Sequence, residues 1–203
     1  MVDNLVVVLI ITKTWLSRCR DVVIIGEICR AGYRFFNQPR VSRNGGGVGL
    51  LYKVNLHVKT RLSHEYRSFK YLDSTIVNTR IVSVISVYCP PPSAANGSTL
   101  DIFLNEFGTL LKELVVTDVE LLIVGDFNFC MDDLRDGNAI RFSHLFETFD
   151  LQQHMNAPTH LDLVITRSAA VFLLSKFCIA EQPISDHKAE KYLRFGKMHR
   201  LKN

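Results

Sequence analysis

The chain has 203 residues, 47% of them hydrophobic, with 24 Lys and Arg against 20 Asp and Glu for a net charge of +4. That length suffices for one sizeable core and a single domain, and the composition excludes a disordered or low-complexity chain. The mild positive charge permits a polyanionic partner without requiring one. Five cysteines (Cys19, Cys29, Cys89, Cys130 and Cys178) without a CxxC pair argue against a disulfide frame or a zinc site and fit a reducing compartment.

Residues 5–11, rich in Val, Leu and Ile, predict a strand. They follow Asp3, lack a basic flank and are too short to cross a bilayer, so neither a signal peptide nor a transmembrane segment is expected. A nuclear or cytoplasmic protein with no membrane partner follows from that reading. A second apolar piece covers residues 22–25. Residues 32–44 hold Tyr33, Phe35, Phe36 and three arginines and read as irregular surface structure. Gly45-Gly46-Gly47-Val48-Gly49 then opens a strand. These glycines lack the endings of phosphate-cradling loops and predict close backbone approach at a strand start.

Further strands are expected at 57–62, 68–72 and 80–88, the last stopped by Pro90-Pro91-Pro92 after Tyr88 and Cys89. Asn96-Gly97 marks a turn, and Ser98 with Asp101 reads as a capping box. Leu100, Phe103, Leu104, Phe107, Leu110, Leu111 and Leu114 recur at helical spacing behind it. Residues 119–128 come next, then a loop with Asp132, Asp133 and Asp136. Those acids hint at calcium but lack EF-hand spacing, and a solvated loop accounts for them. A helix over 138–150 would bury Ile140, Leu145, Phe146 and Phe149. A strand pair over 161–166 and 171–177 precedes Ser185-Asp186-His187. Many strands, often consecutive, with two helices predict an α+β fold in which sheet packs on sheet.

The most informative stretch is Leu121-Leu122-Ile123-Val124-Gly125-Asp126-Phe127-Asn128, a buried strand ending in an acid and an amide. If strand geometry persisted, Asp126 and Asn128 would share a face and could act on a phosphate or a metal-bound water. The plainer reading is a strand followed by an Asx turn, and the stretch taken alone favours it. Tyr88 at a strand end, Asp162 within one and Asp186-His187 near the C-terminus widen the set. Together they offer a base, amide and phenol donors, an oriented imidazole and a metal-ligand acid. Phosphodiester hydrolysis with a divalent cation is one reaction that uses all of these.

Six motifs, in order, resemble the endonuclease/exonuclease/phosphatase (DNase I-like) family, most closely the apurinic-type endonuclease domain of LINE-type (non-LTR) retrotransposons. They are Ile11-Thr12-Lys13-Thr14-Trp15-Leu16, the glycine-led strand to Tyr52, Val87-Tyr88-Cys89-Pro90-Pro91-Pro92, the Gly125-Asp126-Phe127-Asn128 strand, Leu161-Asp162-Leu163-Val164-Ile165-Thr166 and Ser185-Asp186-His187. The resemblance implies a four-layer αββα sandwich of two packed mixed sheets over residues 1–187, lacking the family's first strand, with 188–203 as a basic tail. It implies that Asp126 orients or deprotonates the attacking water and that Asn128 positions it. Tyr88 would bond the phosphate, His187 (oriented by Asp162) would stabilise charge on the phosphoryl oxygens, and Asp186 would lie near Mg2+ or Mn2+. The expected partner is the DNA phosphate backbone, with no small-molecule cofactor.

One departure bears directly on the chemistry. Where the family carries its metal-binding glutamate, this chain has Lys13, whose ammonium has no lone pair to give a cation. Two further departures are the direct run of Pro158-Thr159-His160 into Leu161-Asp162 and the basic residues that follow His187. Three functions therefore stand: a Mg-dependent endonuclease that nicks DNA, a catalytically dead nucleic-acid-binding remnant using Arg34, Arg40, Arg43 and the tail, and a phosphatase or phospholipase of the same fold. Lys13 could also neutralise the site as a fixed ammonium, though it could not generate hydroxide as a metal does.

Overall fold

The structure, a computed structural model, describes residues 8–14, 16, 22–29, 31–38, 46–61, 66–77, 80–91, 93, 97–129, 135–154, 162–170, 179–182 and 190–193; for 162, 179–182 and 190–193 it describes the backbone alone. Strands β1 (Val8–Thr12), β2 (Tyr33–Gln38) and β3 (Val48–Lys53) form an antiparallel sheet in the order β1-β3-β2. A larger sheet has the order β4-β5-β6-β7-β9-β8, built from β4 (His57–Arg61), β5 (Lys70–Val77), β6 (Ile81–Tyr88), β7 (Glu120–Asp126), β8 (Leu151–Gln153) and β9 (Asp162–Arg167). Its strands are antiparallel except β6 and β7, which are joined by the crossover helix α2 (Leu100–Val115) and so run parallel. Helices α1 (Val22–Ile28) and α3 (Gly137–Thr148) and a two-stranded ladder of β10 (Ile179–Gln182) with β11 (Glu190–Leu193) complete the described elements.

Strand alternation separates two faces of the larger sheet. Leu72, Ile76, Val82, Val84, Leu122, Val124 and Val164 face Val8, Ile10, Val48 and Leu50 of the small sheet. The opposite face packs Tyr71, Ile85, Leu121, Ile123 and Ile165 on Phe103, Phe107, Leu110 and Leu111 of α2 and on Phe142 and Phe146 of α3. On the outer face of the small sheet, Leu9, Ile11 and Leu51 meet Ile28 and Cys29 at the end of α1. The layers are therefore α, β, β, α, as the resemblance implies.

Several local expectations need correction. Residues 33–38, read as irregular, are β2. Phe35 and Phe36 pair with Leu51 and Leu50, and the Phe35 ring lies over Gly49, where a Cβ would come within 2.6 Å of it. A missing side chain on one strand thus makes room for an aromatic on the next. The cap of α2 is Thr99 rather than Ser98, its Oγ1 accepting the Ile102 N–H at 3.3 Å. Asp136, one of the three loop acids, caps α3 by accepting the Asn138 N–H at 3.1 Å. A third helix, α1, covers the apolar piece at 22–25.

The expected strand at 171–177 lies outside the described residues, as do Asp132 and Asp133. Within the segment expected as a tail, residues 190–193 form β11, whose backbone lies beside the outer edge of β1.

Candidate active site

Four strands of the larger sheet end together. Lys70 pairs with Tyr88, Tyr88 with Asp126, and Asp126 with Asp162, one residue each from β5, β6, β7 and β9. The next row inward is Leu72, Ser86, Val124 and Val164, on the same face. Largely apolar rows, with Ser74 and Ser86 among them, fill the space between the sheets, and the row at the strand ends is polar. That boundary is the mouth of the sandwich, and it brings three of the sequence-derived site residues into register.

The backbone around Asp126 is built for close contact. Gly125 has φ +152°, and a Cβ there would fall 1.8 Å from the Val87 carbonyl oxygen, so only glycine lets β7 press against β6 at this point. Phe127 is fully buried between α2 and α3, its ring meeting Phe103, Phe107 and Phe142. With Val124 anchored on one face and Phe127 on the other, Asp126 is held at the mouth with 5% exposure.

Strand geometry does not continue to Asn128. Its φ of +52° turns the chain, and its N–H donates to Asp126 Oδ1 at 3.1 Å, which is the Asx turn. Its Nδ2 donates to the Cys89 carbonyl at 2.6 Å, while the Cys89 N–H donates to the Asp126 carbonyl at 2.8 Å. Asn128 therefore laces the exits of β6 and β7 together. Cys89 itself is buried, and burial, with the charges of Asp126 and Glu106 behind it, pushes its thiol far above the ordinary range. It is no nucleophile.

Lys13 reaches the site from the small sheet. It follows β1 with φ +53°, and its Nζ lies 2.6 Å from Asp126 Oδ2 and 5.7 Å from the centre of the Tyr88 ring. The segment is steadied by Thr14, whose Oγ1 donates to Asn37 Oδ1 at 2.9 Å, while Asn37 Nδ2 donates to the Leu16 carbonyl at 3.4 Å. Each oxygen of Asp126 thus accepts a bond, one from an ammonium and one from a backbone N–H. Sequence reading did not find Lys70 or Asn37. For Lys70 the signal was present, since it alternates with Leu72 and Ile76 on a strand leading to the same mouth. Asn37 had none, because its strand was not recognised.

Asp186 and His187 lie outside the described residues. Mg2+ or Mn2+ needs several oxygen ligands, usually carboxylates. Among the described residues no three His, Cys, Asp or Glu side chains converge to hold a metal, and the Asp126 carboxylate is paired with an ammonium. The described donor set does not fit a divalent cation.

The profile of the endonuclease/exonuclease/phosphatase family matches residues 10–187. No curated protein sequence matches the chain. Among solved structures, the endonuclease domain of TRAS1, a telomere-specific non-LTR retrotransposon, superposes with a TM-score of 0.60 at 11% identity, covering 83% of this chain and 81% of that one. The AP endonuclease LMAP from Leishmania major gives 0.63 at 13% identity, with 94% and 78% covered. D. rerio TDP2 complexed with single strand DNA product gives 0.50 at 14% identity, with 79% and 70% covered. At such identities these likenesses speak for the fold, and the profile speaks for descent. With nearly the whole sandwich inside the matched span, the chain belongs to the endonuclease/exonuclease/phosphatase family.

Proposed function

We propose that this chain is a retrotransposon-type endonuclease-like domain that grips the phosphate backbone of DNA and hydrolyses it poorly or not at all. The observation that carries the reading is the 2.6 Å pair between Lys13 Nζ and Asp126 Oδ2. A base that takes a proton from water must offer an available lone pair and must gain by accepting the proton. Asp126 is already compensated by an ammonium, so protonating it would cost that attraction. Members of this family generally use divalent metal ions, which there lower the pKa of water and neutralise charge on the phosphoryl oxygens. Lys13 supplies the positive charge without supplying hydroxide.

What remains is a site suited to holding an anion. The Tyr88 hydroxyl is a donor at the mouth, and Lys13 stands above its ring, 44% exposed. His187, oriented by Asp162, and Asp186 are proposed to complete it. The nuclease-like fold neighbours, including TDP2 with its DNA product, support nucleic acid as the ligand.

Two measurements test the reading. Gel-shift titration of a duplex oligonucleotide in EDTA should give binding that weakens steeply as salt rises, because phosphate contacts release counterions. Thermal melting should be insensitive to Mg2+ for the native chain, yet Lys13→Glu should gain several degrees on adding Mg2+, since it restores a carboxylate beside Asp126. Salt-independent DNA binding, or a native chain already stabilised by Mg2+, would contradict it.

A further inference from the structure

We infer that Lys70 is a second phosphate-binding residue of this mouth, acting with Lys13 from the opposite sheet; the inference rests on the DNA-backbone reading above. Lys70 is the β5 member of the terminal row, directly across from Tyr88. Cross-strand partners place their Cβ atoms about 4.5–5.5 Å apart on one face, well within the reach of a lysine stem. Its face is fixed by Leu72 and Ile76, which alternate with it and lie in the core between the sheets. Tyr88 is therefore flanked by an ammonium over its ring, from Lys13, and by a lysine beside it in the sheet.

Charge accounting explains why two lysines matter. Asp126 and Asp162 occupy the other half of the row, and Lys13 cancels only one of them. With Lys70 the formal charges of these four residues cancel, and the row presents no net negative charge of its own to an approaching phosphodiester. With glutamate at position 13 and no cation, the same row would repel it. A lysine at position 70 thus favours anion binding without a metal, and a phosphodiester (one charge, two free oxygens) suits two ammonium donors on either side of a phenol.

The test is the salt slope of duplex binding in EDTA. Removing one phosphate contact should lower the slope of log affinity against log salt by about 0.9. Lys70→Gln should show that loss with about three- to tenfold weaker binding at low salt, while Lys70→Arg should retain the native slope. Lys59→Gln is the control: Lys59 is exposed on β4 and pairs with Thr75, which points to the opposite face of the same sheet. Its slope should match the native chain's. If Lys70→Gln keeps the native slope, or loses no more than Lys59→Gln, Lys70 touches no phosphate and the inference falls while the DNA reading stands. If the native chain itself does not bind duplex DNA, both fall together.

Discussion

Lys13 sits where three constraints meet: a positive φ, a buried carboxylate 2.6 Å away and an aromatic ring beneath it. Because Asp126 is buried, removing its ammonium partner strips a buried carboxylate of the charge that compensates it. Lys13→Gln is therefore expected to lower stability by about 1–3 kcal/mol, the usual penalty for stranding a buried polar group. Its test is urea denaturation, and Asp126→Asn together with Lys13→Gln should recover part of the loss. Gly125 makes a stricter demand. Gly125→Ala combines a φ of +152° with a Cβ 1.8 Å from the Val87 oxygen, so β6 and β7 must separate. The expected loss is above about 3 kcal/mol, or failure to fold, read by circular dichroism and denaturant titration. An alanine variant with native stability would show that the strand ends are looser than described.

At the scale of elements, the helix-side core is an aromatic stack: Phe103 lies parallel to Phe107 and Phe142, with Phe69 and Phe127 edge-on. Phe103→Ala should cost about 3–5 kcal/mol, because neighbouring elements cannot collapse into the gap. Ser86 makes the contrast. Its hydroxyl is buried in the core between the sheets with no hydrogen-bond partner among the described residues, so Ser86→Ala should be neutral or stabilising by about 1 kcal/mol. The β8–β9 corner carries a pH term. Burial pushes the His154 imidazole below its ordinary value of 6.5, and its Nε2 lies 2.8 Å from Thr166 Oγ1. As pH falls the unfolded chain takes up this proton first, so the contribution to stability is complete above 6.5 and lost below it. Denaturant midpoints at about pH 7.5 and about pH 5.5 should differ more for the native chain than for His154→Gln. The helical stripe of α2 and the strands β6 and β7 were legible because their periodicities are strong. β2 was not, since what makes it a strand is the fit of Phe35 over Gly49, a pairing between distant residues that periodicity cannot show.

For the molecule as a whole, the order of six short motifs revealed the family more clearly than any one element, and the profile over residues 10–187 agrees. The row at the mouth was legible in part. Tyr88 and Asp126 were singled out at strand ends and Asp162 within a strand, and the structure pairs the three in one row. Asn128 was found for a different reason than the one it serves here, because the chain turns left-handed and its amide laces two strands. Lys13 stood out in the sequence as a departure from the family's motif, but its contact with Asp126 required the two sheets to be packed face to face. The sandwich thus keeps the family's architecture and carries a fixed ammonium paired with the Asp126 carboxylate at its mouth.

If the Lys13–Asp126 pair silences hydrolysis, as proposed, nicking of supercoiled plasmid in Mg2+ will reveal it. The native chain should leave the plasmid supercoiled under conditions where it binds DNA. Lys13→Glu should nick if the scaffold is otherwise competent, and that activity should vanish when Asp126→Ala is added. Magnesium-dependent nicking by the native chain that is abolished by Asp126→Ala would show the opposite: that the ion pair opens readily and that Lys13 is no obstacle to catalysis.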